Sequence, residues 1–282
     1  MTPTTLETFA GLLRTRSGLV IGADKDYLLQ SRLAPILKAH GLRDLDALAA
    51  RLRAPASEKI ADEIVEAMTT NETLFFRDGT PFAHLRTHAL PRLHAARAPG
   101  VALRIWSAAA SSGQEAYSIG ITSLELAELR NRAIEIVGTD IAREPLARAR
   151  EGLYSQFEMQ RGVPMQMLVK YFRKDPAGWR IDQKLRAMVQ FREWNLLGDL
   201  RPLGQFDIVF CRNVLIYFDQ PTKTRVLAAI ARQIAPDGVL YLGGAETVLG
   251  VSDRFVAVPG ERGAYALATA DTHTARAPAL AR

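Results

Sequence analysis

From Leu6 to about Ala95 the apolar side chains recur every three or four positions: Phe9, Leu12 and Leu13, then Leu28, Leu29, Leu33, Ile36 and Leu37, then Leu45, Leu48 and Leu52, then Ile60, Ile64, Val65 and Met68. That period lays each set on one face of a helix, and Gly41 and Pro55 fall where helices stop. The pattern predicts a small all-α N-terminal domain of four or five short helices. After Ala98-Pro99-Gly100 the period changes. Short β-branched runs at Ala102–Ser107, Ile134–Thr139, Met188–Trp194, Phe206–Cys211 and Val239–Gly243 read as strands, with amphipathic helices at Glu115–Arg130, Arg143–Glu151 and Thr222–Ile234 between several of them. Strands alternating with helices predict an α/β fold built on a parallel sheet. The stretch from about Gly152 to Ala187 breaks the alternation, with a helix near Pro164–Phe172 and a hairpin-like turn at Asp175 to Trp179. It reads as an insertion. Phe255–Val258 and Ala264–Ala268 are expected to pair as an antiparallel edge, and 271–282 reads as a disordered tail. The expected division is therefore 1–95 for the helical domain and linker, 96–270 for the α/β domain with its insertion at 152–187, and then the tail.

Composition narrows the class. The 282 residues are 48% hydrophobic and 23% charged, enough for a full core, with no run of roughly 18 apolar residues to span a bilayer and no secretory signal at the N-terminus. A cytoplasmic protein without membrane insertion is expected. One cysteine, Cys211, permits no internal disulfide, and the five histidines offer no pair at helical metal-ligand spacing in an acidic context, so no metal is expected. The net charge of +6 favours acidic partners, but without a Lys/Arg block of five or more it does not point to nucleic acid.

Four runs carry candidate chemistry. Trp106 to Glu115 (WSAAASSGQE) links a strand to a helix through small residues, which let a ligand approach backbone N–H groups; only Gly113 survives of a glycine-rich fingerprint. Gly138-Thr139-Asp140 places an acid at a strand end, where it can accept from ribose hydroxyls, cap the next helix, or both. Asp207 to Phe218 (DIVFCRNVLIYF) is a buried strand ending in Arg212-Asn213, which puts these and Tyr217 at the carboxyl edge of the sheet. Thr69 to Asp78 (TTNETLFFRD) sets polar side chains beside two phenylalanines and an arginine, more than a linker needs. Cys211 reads as packing, since no histidine accompanies it.

Together TTNETLFFRD, RIWSAAASSGQEAYSIG, GTDI, QRGVP…KYF, FDIVFCRNVLIYFD and GGAETVLG, in that order, resemble the CheR-type chemotaxis receptor methyltransferases over nearly the whole chain. The resemblance implies a Rossmann-like domain binding S-adenosylmethionine, with an inserted small β-subdomain, after an all-α N-terminal domain. It implies methyl transfer to receptor glutamates, with S-adenosylhomocysteine as product. Carried over residue by residue, the cofactor contacts fall on Asn71, Thr73, Arg77, Glu115, Asp140, Asn195, Leu196, Arg212 and Asn213, and Arg77 and Tyr217 match the positions proposed to assist transfer. Gln114 departs from the family, which often has an acid there.

The chemistry suits these residues, because a glutamate with a reference pKa of about 4.3 is already an anionic nucleophile near neutral pH and needs no general base. Two other readings remain open: a Rossmann-type methyltransferase acting on RNA or a small molecule, and a cofactor-binding receptor scaffold without activity. The expected partner is the cytoplasmic domain of a methyl-accepting chemotaxis receptor, approached by a monomer through the basic stretch holding Arg32, Lys38 and Arg43. The short turn at 173–180 with Pro176, which supplies no backbone N–H, predicts no need for a receptor tail peptide.

Overall fold

A computed structural model describes residues 2–22, 25–55 and 57–268. The expected tail at 271–282 lies outside them. The N-terminal helices are α1 (Pro3–Ser17), α2 (Asp26–Ala39), α3 (Leu45–Leu52) and α4 (Glu58–Met68). Their apolar faces close on one another: Phe9, Leu13, Leu29, Leu33, Leu48 and Ile64 are fully shielded from solvent. Side-chain oxygens of Thr2 and Asp44 accept the backbone N–H groups of Thr5 and Ala47, capping α1 and α3.

Not every helix expected before residue 95 packs with these four. Two further helices, α5 (Thr80–His84) and α6 (Leu90–Ala96), and the turn between them send Phe82, Leu85, Leu90 and Leu93 into the core under the sheet, together with Leu103 and Ile105. Helical spacing identifies a helix but not the partner it packs on, so the pattern groups these helices with the first four although their apolar faces pack under the sheet.

The α/β domain contains β1 (Leu103–Ala108), α7 (Gln114–Leu124), β2 (Ile134–Asp140) and α8 (Arg143–Glu151), then the insertion: β3 (Leu153–Tyr154), α9 (Gln156–Gln160), α10 (Met165–Tyr171), β4 (Phe172–Asp175), β5 (Gly178–Ile181) and α11 (Gln183–Ala187). It resumes with β6 (Val189–Glu193), β7 (Phe206–Cys211), α12 (Gln220–Ala231), β8 (Ile234–Leu242), β9 (Phe255–Ala257) and β10 (Ala264–Leu267). The described residues form a seven-stranded sheet in the order β6-β2-β1-β7-β8-β10-β9. Strands β6, β2, β1, β7 and β8 are parallel, and β7 is buried along its whole length, as a strand covered on both faces must be. The terminal pair is antiparallel as expected, but β10 inserts beside β8 and leaves β9 at the edge.

Two helices end earlier and one strand starts earlier than the pattern predicts. The helix expected over Thr222–Ile234 stops at Ala231, and β8 starts at Ile234. Pro236-Asp237-Gly238 therefore lies within the strand, beside a register irregularity between Phe206 and Ile208. The irregularity accommodates the missing proline N–H. The helix expected over Glu115–Arg130 likewise ends at Leu124 and continues as a separate 3-10 turn.

The insertion is a three-stranded sheet ordered β3-β5-β4. Phe75 of the linker is fully buried edge-on against Tyr154 and Phe172, with ring centroids 5.0 and 5.4 Å away. Gly162 makes room for the linker, since a Cβ there would sit 2.1 Å from the Phe75 carbonyl oxygen. The glycine of the QRGVP run is thus fixed by a backbone approach.

Candidate active site

The carboxyl ends of β1, β2, β6 and β7 open into one cleft of about 900 Å³, counting its mouth. This is where open α/β sheets bind ligands. All ten candidate residues line it: Asn71, Thr73, Arg77, Glu115, Asp140, Asn195, Leu196, Arg212, Asn213 and Tyr217. Residues from five separated stretches, 71–77, 115, 140, 195–196 and 212–217, converge because β1 sits between β2 and β7, with β6 beside β2.

After β1 the chain turns through positive φ at Ala109 (59°) and Ser111 (48°). Small side chains tolerate that backbone, and the turn is pinned by Asp140, whose Oδ2 accepts the Ser111 N–H at 2.8 Å while Oδ1 accepts the Ala142 N–H at 2.9 Å. Asp140 is therefore already holding two loops together. Burial pushes its carboxyl up from the usual range, opposed by those backbone donors. The Ser111 hydroxyl donates to the Asn71 carbonyl at 2.7 Å and ties the linker to the same turn.

Glu115 and Arg212 meet across the floor. Glu115 Oε1 accepts from Ser107 Oγ at 2.8 Å, and Oε2 accepts from Arg212 at 3.1 Å. Arg212 also donates to the Arg77 carbonyl at 3.0 Å and to Asp78 Oδ2 at 2.6 Å. Its Nε is a buried side-chain nitrogen without a hydrogen-bond partner among the described residues. Such a donor is costly unless a ligand atom or water meets it. Burial raises the Glu115 pKa, and the Arg212 cation pulls it back.

Asn195 is occupied differently. Its amide donates to the Arg16 carbonyl at 2.5 Å and accepts the Leu197 N–H at 2.9 Å, so it fastens the end of α1 to the loop after β6. Asn71 donates to Thr69 Oγ1 at 3.0 Å, and Arg77 to the Glu72 carbonyl at 3.1 Å. Cys211, buried and with its thiol pKa pushed up by that burial, is an inert core group.

Two features lie beyond the sequence reading. The N-terminal domain roofs the cleft with Ser17 and Leu19, because Gly18 caps α1 at φ 77° with the Phe218 ring where a Cβ would meet it at 3.0 Å. Glu246, in the GGAETVLG run, accepts the N–H groups of Asn213 (2.7 Å), Val214 (2.9 Å), Ile216 (3.3 Å) and Gly243 (2.7 Å). It holds Asn213 at φ 58° and shapes the loop that carries Tyr217. Four donors drawn from two segments leave no mark on one-dimensional periodicity. Gln114, by contrast, is buried away from the cleft and donates to Glu158 at 3.2 Å, where a carboxylate would face another carboxylate.

A parallel sheet with a cleft at its carboxyl ends is the architecture of a cofactor-binding α/β domain. Residues 71–264 match the CheR methyltransferase, SAM binding domain, and residues 4–69 match the CheR methyltransferase, all-alpha domain. The chain belongs to the CheR family, and its cofactor is S-adenosyl-L-methionine. Among its curated relatives, chemotaxis protein methyltransferase Cher2 of Pseudomonas putida is 39% identical over 88% of this chain and 92% of its own. Chemotaxis protein methyltransferase 1 of Pseudomonas aeruginosa is 40% identical over the same shares, and the chemotaxis protein methyltransferase of Vibrio parahaemolyticus is 38% identical over 88% and 90%. Among the described residues no helix is long and apolar enough to cross a membrane.

The cleft fits that cofactor. Among the described lining residues, Glu72, Glu115 and Asp140 stand against Arg77 and Arg212, a net of one negative charge. The cofactor carries a sulfonium, an ammonium and a carboxylate, hence a net positive charge. The unpartnered Arg212 Nε adds a donor for an anionic or carbonyl group.

Proposed function

We propose that this protein methylates glutamate side chains in the cytoplasmic domain of methyl-accepting chemotaxis receptors, forming glutamyl methyl esters. One observation carries the choice of nucleophile. The lining acids are all engaged, Glu115 by Ser107 and Arg212, Asp140 by two backbone N–H groups and Glu72 by Arg161 at 3.1 Å, and no histidine lies among the described lining residues. A hydroxyl or ammonium substrate would need a base to remove its proton. A carboxylate arrives ready.

The bound cofactor supplies an electrophilic methyl on a positively charged sulfur. What remains for the protein is alignment, which can contribute up to about 7–11 kcal/mol. Asp140 holds the turn after β1 that would face the cofactor's ribose, and Arg212 and Glu115 form the charged floor that would meet its amino-acid end. Asn71, Thr73, Asn195, Leu196 and Asn213 complete the walls. Arg77 and Tyr217 would act at the reacting end. The guanidinium would draw in the substrate carboxylate, and the phenol would hydrogen-bond beside the transferring methyl.

The experiment is incubation of the full chain with labelled cofactor and receptor cytoplasmic domains, followed by mapping of base-labile label. Label on receptor glutamates is expected. Label on RNA or small molecules alone, or base-stable label, refutes the proposal. Recognition without a tail peptide is part of it, supported by a two-residue turn at Pro176-Ala177 and by charged Arg173 and Lys174 on the edge strand β4. Full-length and tail-truncated receptors should be methylated at similar rates, and a large loss on truncation would show otherwise.

A further inference from the structure

Away from the cleft, α5 ends at His84 and passes into a π turn over Leu85–Ala89. Pro91 gives this widening its cause, since its ring crowds the Thr87 carbonyl and supplies no N–H to it. The wider turn brings residues four apart nearly over one another. The His84 and His88 rings stack with centroids 5.2 Å apart and planes 14° apart.

Glu261 reaches the same point from the turn between β9 and β10. One ligand atom from each of His84, His88 and Glu261 lies within 4.8 Å of the other two. A tetrahedral zinc site with metal-ligand distances of about 2.0–2.2 Å has ligand edges of roughly 3.4 Å. Closing that difference takes small rotations of exposed His88 and half-buried Glu261, while buried His84 stays anchored.

A supporting group is already in place. His84 Nδ1 is 2.7 Å from the Tyr241 hydroxyl on β8, which leaves Nε2 for an ion with Nδ1–H donating to the phenol oxygen. Metal-bound histidines are typically oriented by such a partner. Arg92 is the opposing cation nearby, and its guanidinium is turned to the Asp237 carbonyl at 2.7 Å.

We propose that His84, His88 and Glu261 bind one transition-metal dication of the zinc type, with a fourth position open to water. Two imidazoles and one carboxylate are a donor set for zinc, cobalt or nickel rather than for calcium or magnesium, which prefer oxygen. The ion would staple the helix that follows the linker to the far edge of the sheet, closing a long loop of chain.

The test uses tag-free, full-length protein stripped with a chelator and titrated with Zn²⁺ by calorimetry, with Co²⁺ as a spectroscopic reporter. One saturable equivalent, an intense tetrahedral cobalt spectrum and a metal-dependent rise in Tm are expected. H88A and E261Q, both away from the core, should each weaken Zn²⁺ binding at least about tenfold and lose the Tm rise. The absence of a saturable equivalent in the wild-type chain, or wild-type affinity in either variant, overturns the proposal.

Discussion

At the scale of the residue, Tyr217 and Asp140 separate a chemical from an architectural role. Tyr217 is half-buried on a short 3-10 turn, and its ring packs beside the core beneath α12. Tyr217→Phe keeps that ring and removes the hydroxyl, so kcat should fall while cofactor affinity by calorimetry changes little. A wild-type rate would make the tyrosine purely structural. Asp140→Ala has a different expected outcome, because the loss strands the N–H groups of Ser111 and Ala142. Each orphaned buried donor costs about 1–3 kcal/mol. The variant should lose cofactor affinity and also melt earlier, whereas a variant with weak binding and an unchanged Tm would show that those N–H groups find other partners. The acid at the end of β2 was legible from its position in the sequence. Its commitment to two loops was not, because the loop that holds Ser111 starts on another strand, β1. Asn195 makes the same point, since its partner Arg16 is in the other domain.

Elements were legible where their period is long and their ends carry punctuation. The helix Arg143–Glu151 has the expected bounds because Gly152 closes it at φ 64°. The helix expected over Thr222–Ile234 runs too far because Ile230 and Ile234, four apart, continue an apolar spacing that both a helix end and a strand start can satisfy. What fixes the strand start is tertiary. Arg97, just past α6, donates to Asp207 of β7 at 2.8 Å and to both carboxylate oxygens of Asp237 in β8 at 2.7 and 2.8 Å. Arg97→Ala leaves Asp207 buried without its cation and should cost about 3 kcal/mol, read from urea unfolding. The Arg97 hydrogen bonds also hold the Asp237 carboxyl below its ordinary value of 3.8. A depressed folded pKa contributes stability that is fully present above that ordinary value and fades as pH falls through the lower folded one. The gap between wild type and Arg97→Ala should accordingly be widest near neutral pH and narrow below about pH 3.8. A gap that stays constant on acidification would contradict the assignment.

At the scale of the whole molecule, the two domains share one function because the cleft is built from both. The basic stretch after Tyr27 reads in sequence as three equivalent cations, but the structure divides them. Arg32 donates to the carbonyls of Met68 (2.7 Å) and Thr69 (3.0 Å) and to Thr70 Oγ1 (3.0 Å), which closes the C-terminus of α4 and sets the linker into the cleft. It is an internal fastener. Lys38 stays exposed in the last turn of α2, and Arg43 is exposed and pairs at the surface with its neighbour Asp44 at 3.0 Å. A surface pair of that kind is worth little and leaves the cation free to act at long range. If acidic receptor helices are the partner, these two positions steer the encounter. Lys38→Glu with Arg43→Glu should then slow receptor methylation severalfold at low ionic strength and progressively less as added salt shortens the Debye length to about 8 Å. Cofactor affinity should not change, because neither side chain lines the cleft. Arg32→Ala should behave differently, with weakened cofactor binding and a rate loss that added salt does not relieve, because what it removes is the anchor of the linker. Equal salt dependence in the wild-type and doubly reversed proteins would refute steering through α2.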